Sequence, residues 1–282
     1  MHRKVIALAY HDIILAEQGW DVSGFPGKAA ARYKLKVEDF RKHLQAIKRV
    51  VMDGPVKVSD VLNEEARVSA PVILTFDDGG ASGFPLITDM LARLGWPGHF
   101  FINTKYVNTK GFLTSEQILS MRRRGHVIGT HSHSHPAQMW RLKERELTEE
   151  WSVSRKMLSE IVGEEIGVAS VPGGYYSKRV AAAAALAGIK ILFTSEPTVK
   201  CKRIDGCWVL GRFAIFQKTS DELAGMLASG RLSRRVYEWL FWNLKKVAKR
   251  GGGDFYLELR KFILELGARA ERRDCIGHGK RK

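Results

Sequence analysis

The sequence predicts an α/β protein built on a parallel sheet or barrel. Three observations carry this prediction. Short apolar, β-rich runs alternate with segments of helical periodicity along most of the chain. Polar and titratable residues collect directly after those runs, at Asp77 and Asp78, at His131 to His135 and at the turn around Pro172. Strand ends of that kind carry the chemistry in α/β barrels. The length, 282 residues, suits one barrel-type domain of about 230 to 250 residues plus an appendage as readily as two domains.

The elements follow in order. Val5 to Tyr10 reads as a buried strand, and Val37 to Met52 as a helix with Phe40, Leu44, Ile47 and Val51 at helical spacing. Val72 to Phe76 is a strand that ends in the acidic turn Asp77-Asp78-Gly79-Gly80. Phe84 to Leu94 is a helix closed by Gly95-Trp96-Pro97-Gly98, and His99 to Ile102 is the next strand. Thr114-Ser115-Glu116-Gln117 opens a capped helix that runs to Arg124. Val127 to Gly129 is a short strand ending at His131, and residues 142–162 form a long helix. Gly167 to Ser170 leads into Val171-Pro172-Gly173-Gly174. Ala181 to Ala187 is a helix stopped by Gly188, Ile189 to Phe193 a strand, and Val209 to Phe216 one more strand.

Composition removes several classes. Hydrophobic residues make up 45% and charged residues 27%, the range of folded globular chains. No run approaches the roughly 18 to 20 apolar residues of a spanning helix. Met1 to Tyr10 lacks the apolar length and the small-residue cleavage site of a signal peptide. Cys201, Cys207 and Cys275 are an odd number without C-x-x-C spacing, which supports neither a disulfide framework nor a thiolate metal site. The expected compartment is the cytoplasm.

Charge is unevenly placed. The net charge is +16, and residues 231–282 hold 15 Lys/Arg against 6 Asp/Glu, a net of +9. Within 231–250, Leu232, Val236, Trp239, Leu240, Asn243 and Val247 share one helical face with Tyr237, Phe241 and Trp242 beside it, flanked by Arg234, Arg235, Lys245, Lys246, Lys249 and Arg250. The expected organisation is a barrel over residues 1–230 and a basic amphipathic helical extension over 231–282. That extension suits either an anionic membrane surface or packing on the barrel. No nucleic-acid-binding motif accompanies the charge, so no specific nucleic-acid partner is expected.

Two constellations carry chemistry. Asp77 and Asp78 are adjacent at a strand end, where neighbouring side chains diverge, so two roles fit better than one shared role. His131 and His135 lie four apart, a spacing that lets one turn or tight loop aim both at a single ion, with a carboxylate from elsewhere as third ligand. Two His and one carboxylate with open positions suit hydrolytic zinc, and also other divalent ions. His133, between them, should face away, and His99 reads as a satisfied core histidine.

Thr75-Phe76-Asp77-Asp78-Gly79, Phe100-Phe101-Ile102, Leu113 to His126 and Gly129-Thr130-His131-Ser132-His133-Ser134-His135-Pro136 together resemble the NodB-like polysaccharide deacetylases, carbohydrate esterase family 4. The similarity is firm over about residues 71–140 and weaker at Tyr10-His11 and from Val171 to Phe216. It implies a distorted (β/α) barrel and metal-dependent hydrolysis of N-acetyl groups on amino sugars. It also implies Asp77 as general base, Asp78, His131 and His135 as metal ligands, and a backbone N–H at Gly173 as oxyanion donor.

Two departures from the family pattern stand out. The usual R-x-P-x-G third motif reads Ser170-Val171-Pro172-Gly173-Gly174, so the base-orienting arginine is absent. The late L-x-H, whose histidine protonates the leaving amine, is also missing, since only His278 follows residue 140. Arg212 is the candidate replacement for the arginine, or else a solvent-facing edge residue. His11, after the first strand, is the candidate general acid, or else a structural histidine, and Asp12 either orients it or caps a turn. Trp140, Tyr175 and Tyr176 are candidates for a sugar-stacking platform or for core or rim packing.

The expected function is therefore removal of N-acetyl groups from an amino-sugar oligosaccharide, or from a glycolipid intermediate of surface-polysaccharide assembly at the inner membrane face. One divalent ion, zinc by its ligand set, would serve. The alternatives are a catalytically weakened glycan-binding or glycosyltransferase-partner protein, and a hydrolase of another non-peptide C–N bond.

Overall fold

A computed structural model describes residues 4–62, 71–174 and 176–230. The proposed basic extension over 231–282, with its membrane-facing reading, and Tyr175 lie outside the described residues. The strands are β1 (Ile6–Tyr10), β2 (Ile13–Ile14), β3 (Leu35–Lys36), β4 (Val72–Phe76), β5 (His99–Ile102), β6 (Val127–Thr130), β7 (Val168–Ser170), β8 (Ile191–Phe193), β9 (Lys202–Ile204), β10 (Cys207–Leu210) and β11 (Phe213–Ala214). The α-helices are α1 (Lys28–Ala31), α2 (Val37–Val50), α3 (Val58–Leu62), α4 (Leu86–Ala92), α5 (Ser115–Arg123), α6 (Glu144–Val162), α7 (Lys178–Leu186) and α8 (Asp221–Ala228).

Nine strands form one curled sheet in the order β11-β1-β4-β5-β6-β7-β8-β10-β9. Every pairing in it is parallel except the β9–β10 hairpin, whose Asp205-Gly206 turn has positive φ at both residues. Residues of β1 and β4 are buried throughout, the pattern of parallel strands covered on both faces. The two ends of the sheet are joined by one short segment. β10 pairs with β8, and three residues later β11 pairs with β1. The sequence reads Val209 to Phe216 as one strand; the chain instead breaks at Gly211-Arg212 and changes partner there. This break carries the chain from one side of the curled sheet to the other.

Local rules explain most element boundaries. Thr114 caps α5 in a reciprocal box: Gln117 N–H donates to Thr114 Oγ1 at 3.3 Å and Thr114 N–H donates to Gln117 Oε1 at 3.0 Å. Gly163, with φ of 75°, ends α6 in the left-handed conformation that glycine adopts without penalty. Along α2, Phe40, Leu44 and Ile47 are buried and pack into a cluster with β1 and β4 side chains, including Leu8, Tyr10 and Phe76. Helix α7 starts at Lys178, three residues earlier than the alanine run suggests, because the Ser177 side chain accepts from Val180 N–H. Short elements without apolar periodicity, such as β2, β3 and α1, carry no sequence signal and are set by tertiary pairing.

The parallel arrangement puts the C-terminal strand ends at one mouth. His11 follows β1, Asp77 and Asp78 follow β4, His131 follows β6, Ser170 ends β7, and Arg212 sits in the β10–β11 break. At that break Gly211 lies so close to Glu196 and Thr198 that a Cβ would run into both their carbonyl oxygens. Gly211→Ala is expected to cost about 1–3 kcal/mol or more through overpacking against rigid backbone. A urea unfolding midpoint equal to that of the parent chain would contradict this account of the crossing.

Candidate active site

Arg212 is fully buried and spends its guanidinium on the barrel mouth. Nη1 donates to Asp77 Oδ1 at 2.7 Å and Nη2 to Asp77 Oδ2 at 2.8 Å, a bidentate charge-assisted pair. Nε donates to the Thr194 carbonyl at 3.0 Å and Nη1 also to Thr75 Oγ1 at 3.1 Å. The rings of Phe101 and Phe193 lie 5.7 and 6.0 Å from the guanidinium carbon. Of the two sequence readings for Arg212, the structure places it on Asp77 and away from solvent.

That pairing fixes the charge on Asp77. Burial works against ionisation, but the Arg212 charge, aided by His131 and by the Arg212 hydrogen bonds, outweighs it and holds the carboxyl well below the usual range. Asp77 is therefore an anion at any working pH, with its orientation set by its partner.

Asp78, His131 and His135 converge beside it. One ligand atom from each lies within 4.8 Å of the others. His131 Nε2 is 3.6 Å and His135 Nε2 3.5 Å from Asp78 Oδ1, and His131 Nε2 is 4.0 Å from Asp77 Oδ2. Burial pushes the His131 pKa down to about 3, so its ring is neutral and available as a ligand. Burial pushes the Asp78 carboxyl up to about 7. Two imidazoles and one buried carboxylate that has no Lys or Arg ion pair among the described residues fit a divalent ion of the zinc type. Asp78, Ser132 and His135 all hold positive φ, at 75°, 66° and 57°. Strain at non-glycine residues collects where a fixed geometry is needed.

The loop from 131 to 135 is tied from behind. Glu150 of α6 accepts from the N–H groups of His133 and Ser134 at 2.9 and 2.8 Å, and from Ser134 Oγ at 2.5 Å. Ser132 Oγ accepts from His135 N–H at 3.1 Å. His133 turns away, with its Nδ1 2.9 Å from Thr104 Oγ1. His99 is a core residue, bonded at both ring nitrogens by Val58 N–H and the Leu74 carbonyl.

The remaining candidates fall as follows. His11 borders one small cavity with Asp77, stacks at 4.7 Å on Tyr33, and its buried Nδ1 has no partner among the described residues. Asp12 does not orient it: the Asp12 carboxylate accepts from Ser23 Oγ at 2.5 Å and Ser82 Oγ at 2.7 Å instead. Gly173 is exposed in the turn Pro172–Gly174 after β7, at a φ of 61°. Trp140 is exposed beneath Arg141, and Tyr176 packs against the apolar cluster between α6 and α7. The aromatic residue that meets the site is Phe25, 4.9 Å from the His135 ring and edge-on to Tyr106 and Phe112. Sequence reasoning missed it because Phe25 sits in a loop without periodicity. That loop is held by the buried Lys34, whose Nζ donates to the carbonyls of Trp20, Ser23 and Phe25 at 2.6, 2.6 and 2.7 Å.

With this geometry the comparisons with known proteins can be placed. The family model described as "Polysaccharide deacetylase" matches residues 65–192. Over that stretch, which is less than half of the chain, the sequence is similar to the polysaccharide deacetylases. YxkH of Bacillus subtilis (strain 168), a protein assigned to the polysaccharide deacetylases, is 26% identical over 172 residues, 61% of this chain and 61% of that protein. A chitin deacetylase of Arthroderma benhamiae is 32% identical over 85 residues, 30% of this chain and 22% of its own length. The chain thus spans less than two thirds of the curated relatives it matches. Among solved structures, the Streptococcus pyogenes deacetylase PplD in complex with acetate superposes with a TM-score of 0.65 at 20% identity, over 79% of this chain and 97% of that one. A de-N-acetylase from Aggregatibacter actinomycetemcomitans gives 0.64 at 18% identity, over 79% and 99%. At that identity the likeness is one of fold, and it confirms the distorted barrel.

Metal binding at this cluster should depend on pH with a definite sign. A cation competes with the proton on Asp78, whereas His131 is already neutral. Apparent affinity for Zn²⁺ is expected to rise about tenfold per pH unit below about 7 and to level off above it. Titration calorimetry from pH 5.5 to 8.5 measures this, and a flat profile would remove Asp78 from the ligand set.

Proposed function

We propose that this chain is a metal-dependent hydrolase that removes N-acetyl groups from an amino-sugar oligosaccharide or glycolipid. The observation that carries the reading is the buried Arg212–Asp77 pair next to the Asp78-His131-His135 cluster. It joins a permanently ionised base to a complete three-ligand set. A weakened, glycan-binding member would have no use for both.

Asp78, His131 and His135 would hold the ion, zinc by the chemistry of the donors. When bound, such an ion polarises the acetamide carbonyl and acidifies the attacking water. Asp77 takes the proton of that water, while Arg212 holds both of its oxygens in place. Asp77 is a weak base on its own account, because Arg212 and His131 lower its pKa. It accepts the proton in the reacting complex, where acidification of the water narrows the gap. The Gly173 N–H is proposed to donate to the developing oxyanion. His11 is proposed to supply the proton to the departing amine; its unpartnered Nδ1 beside Asp77 supports a ring held free for such a transfer. Phe25, with Tyr106 and Phe112, offers an apolar face for a pyranose ring in place of the Trp140 and Tyr176 platform. Tyr175 is retained as a candidate contact in the substrate loop.

The direct test is acetate release from N-acetylated oligosaccharides and lipid-linked sugars with added Zn²⁺ or Co²⁺. Release should vanish with a chelator and return with metal. Asp77→Asn should lose about 10²–10⁴-fold in kcat while still binding metal. Metal bound without acetate release from any substrate would redirect the reading to another C–N bond. A second arm addresses His11: His11→Ala should lower kcat by about 10²-fold or more with acetamide substrates. Turnover near that of the parent chain would assign the proton donor elsewhere.

A further inference from the structure

Ser170 stands at the position where the family pattern carries an arginine, and it is fully buried at the end of β7. Its Oγ lies 3.1 Å from Asp77 Oδ1 and 2.5 Å from His131 Nδ1. The proton arrangement follows from the groups themselves. An ionised carboxylate only accepts, so the hydroxyl donates to Asp77, and its oxygen is left to accept from His131 Nδ1–H. That N–H also lies 3.0 Å from the Ser170 carbonyl, so two oxygens of one residue hold it. The proton then sits on Nδ1, and the lone pair at Nε2 faces Asp78 and His135.

The same hydroxyl makes the two oxygens of Asp77 unequal. Oδ1 receives Arg212 Nη1 and Ser170 Oγ, whereas Oδ2 receives Arg212 Nη2 alone and faces His131 Nε2 at 4.0 Å. An arginine at position 170 could orient the carboxylate, but it has no acceptor to offer to the imidazole N–H. A serine there, with the guanidinium supplied from Arg212, does both. The changed third motif is thus a redistribution of contacts, with the cation arriving from the β10–β11 break.

We propose that Ser170 is a positioning residue that makes Oδ2 of Asp77 the proton-accepting oxygen and ties the base and the ligand His131 into one hydrogen-bonded unit. The proposal rests on the deacetylase reading, and its test separates the two. The full chain is prepared with Ser170, with Ser170→Ala and with Ser170→Thr, which keeps a hydroxyl. Four quantities are measured: kcat and KM for acetate release at saturating Zn²⁺, Zn²⁺ affinity by chelator competition, and the His131 Nδ1–H proton resonance of the metal-free chain.

For Ser170→Ala the expected outcome is a kcat about 10-fold lower at KM within twofold, Zn²⁺ affinity weakened by up to about 10-fold, and an upfield move of the resonance as the 2.5 Å partner is lost. Ser170→Thr should recover most of each, provided circular dichroism shows it folded; if it is not, the alanine results decide. A kcat equal to that of the parent chain, a loss confined to KM, or an unmoved resonance overturns the proposal and leaves the deacetylase reading standing. Failure of the parent chain to release acetate overturns the deacetylase reading instead, and the resonance and Zn²⁺ affinity still judge the link between Ser170 and His131.

Discussion

A buried guanidinium is tolerable only where its donors are used, and in this protein the place that uses them is also the place where the chain crosses from one side of the curled sheet to the other. Arg212 lies between β10, which pairs with β8, and β11, which pairs with β1. Its contacts to Thr194, Thr75 and Asp77 therefore span β8 and β4 across that crossing. Removing one partner of a buried pair leaves an uncompensated charge and typically costs about 3–5 kcal/mol. The β10–β11 crossing, the ionisation of Asp77 and the orientation of its carboxylate thus share one set of bonds. The sign of the pH response follows. Because the folded-state pKa of Asp77 is depressed, its contribution to stability is present above the unfolded carboxylate value and is lost as pH falls through the lower folded one.

Around that pair the site is held by shells of short polar contacts that originate in distant parts of the chain. Glu150 anchors the backbone of 133 and 134 from α6, Asn103 Nδ2 donates to the Asp78 carbonyl, and Lys34 gathers three carbonyls of the loop that carries Phe25. Each places a strained or irregular segment against the regular barrel. Asp78, Ser132 and His135, all at positive φ, need such support, since none of those conformations is favoured locally.

Much of this was legible from residue order. The strands Val72–Phe76 and His99–Ile102 and the capped start of α5 read directly, because apolar runs and a Thr-x-x-Gln signature are local. Other boundaries moved. The β10–β11 segment looks continuous by apolar content, and only the backbone crowding at Gly211 and the change of partner reveal the break. The platform residues Trp140 and Tyr176 were plausible by proximity in sequence. The ring beside His135 is Phe25, more than a hundred residues away, and no pattern in one dimension links the two.

The sequence by itself determined the fold class and the chemical inventory: two carboxylates at one strand end, two histidines four apart at another, and the absence of an arginine at 170. Periodicity and strand-end placement act over a few residues, so they survive in one dimension. The tertiary structure decided which of these groups face one another. It set the bidentate pairing of Arg212 with Asp77, the withdrawal of Asp12 to Ser23 and Ser82, and the bridge from Asp77 through Ser170 to His131. Those relations depend on side-chain distances across a curled sheet between residues 11 to 135 positions apart. Only the register of the strands brings such residues within hydrogen-bonding reach.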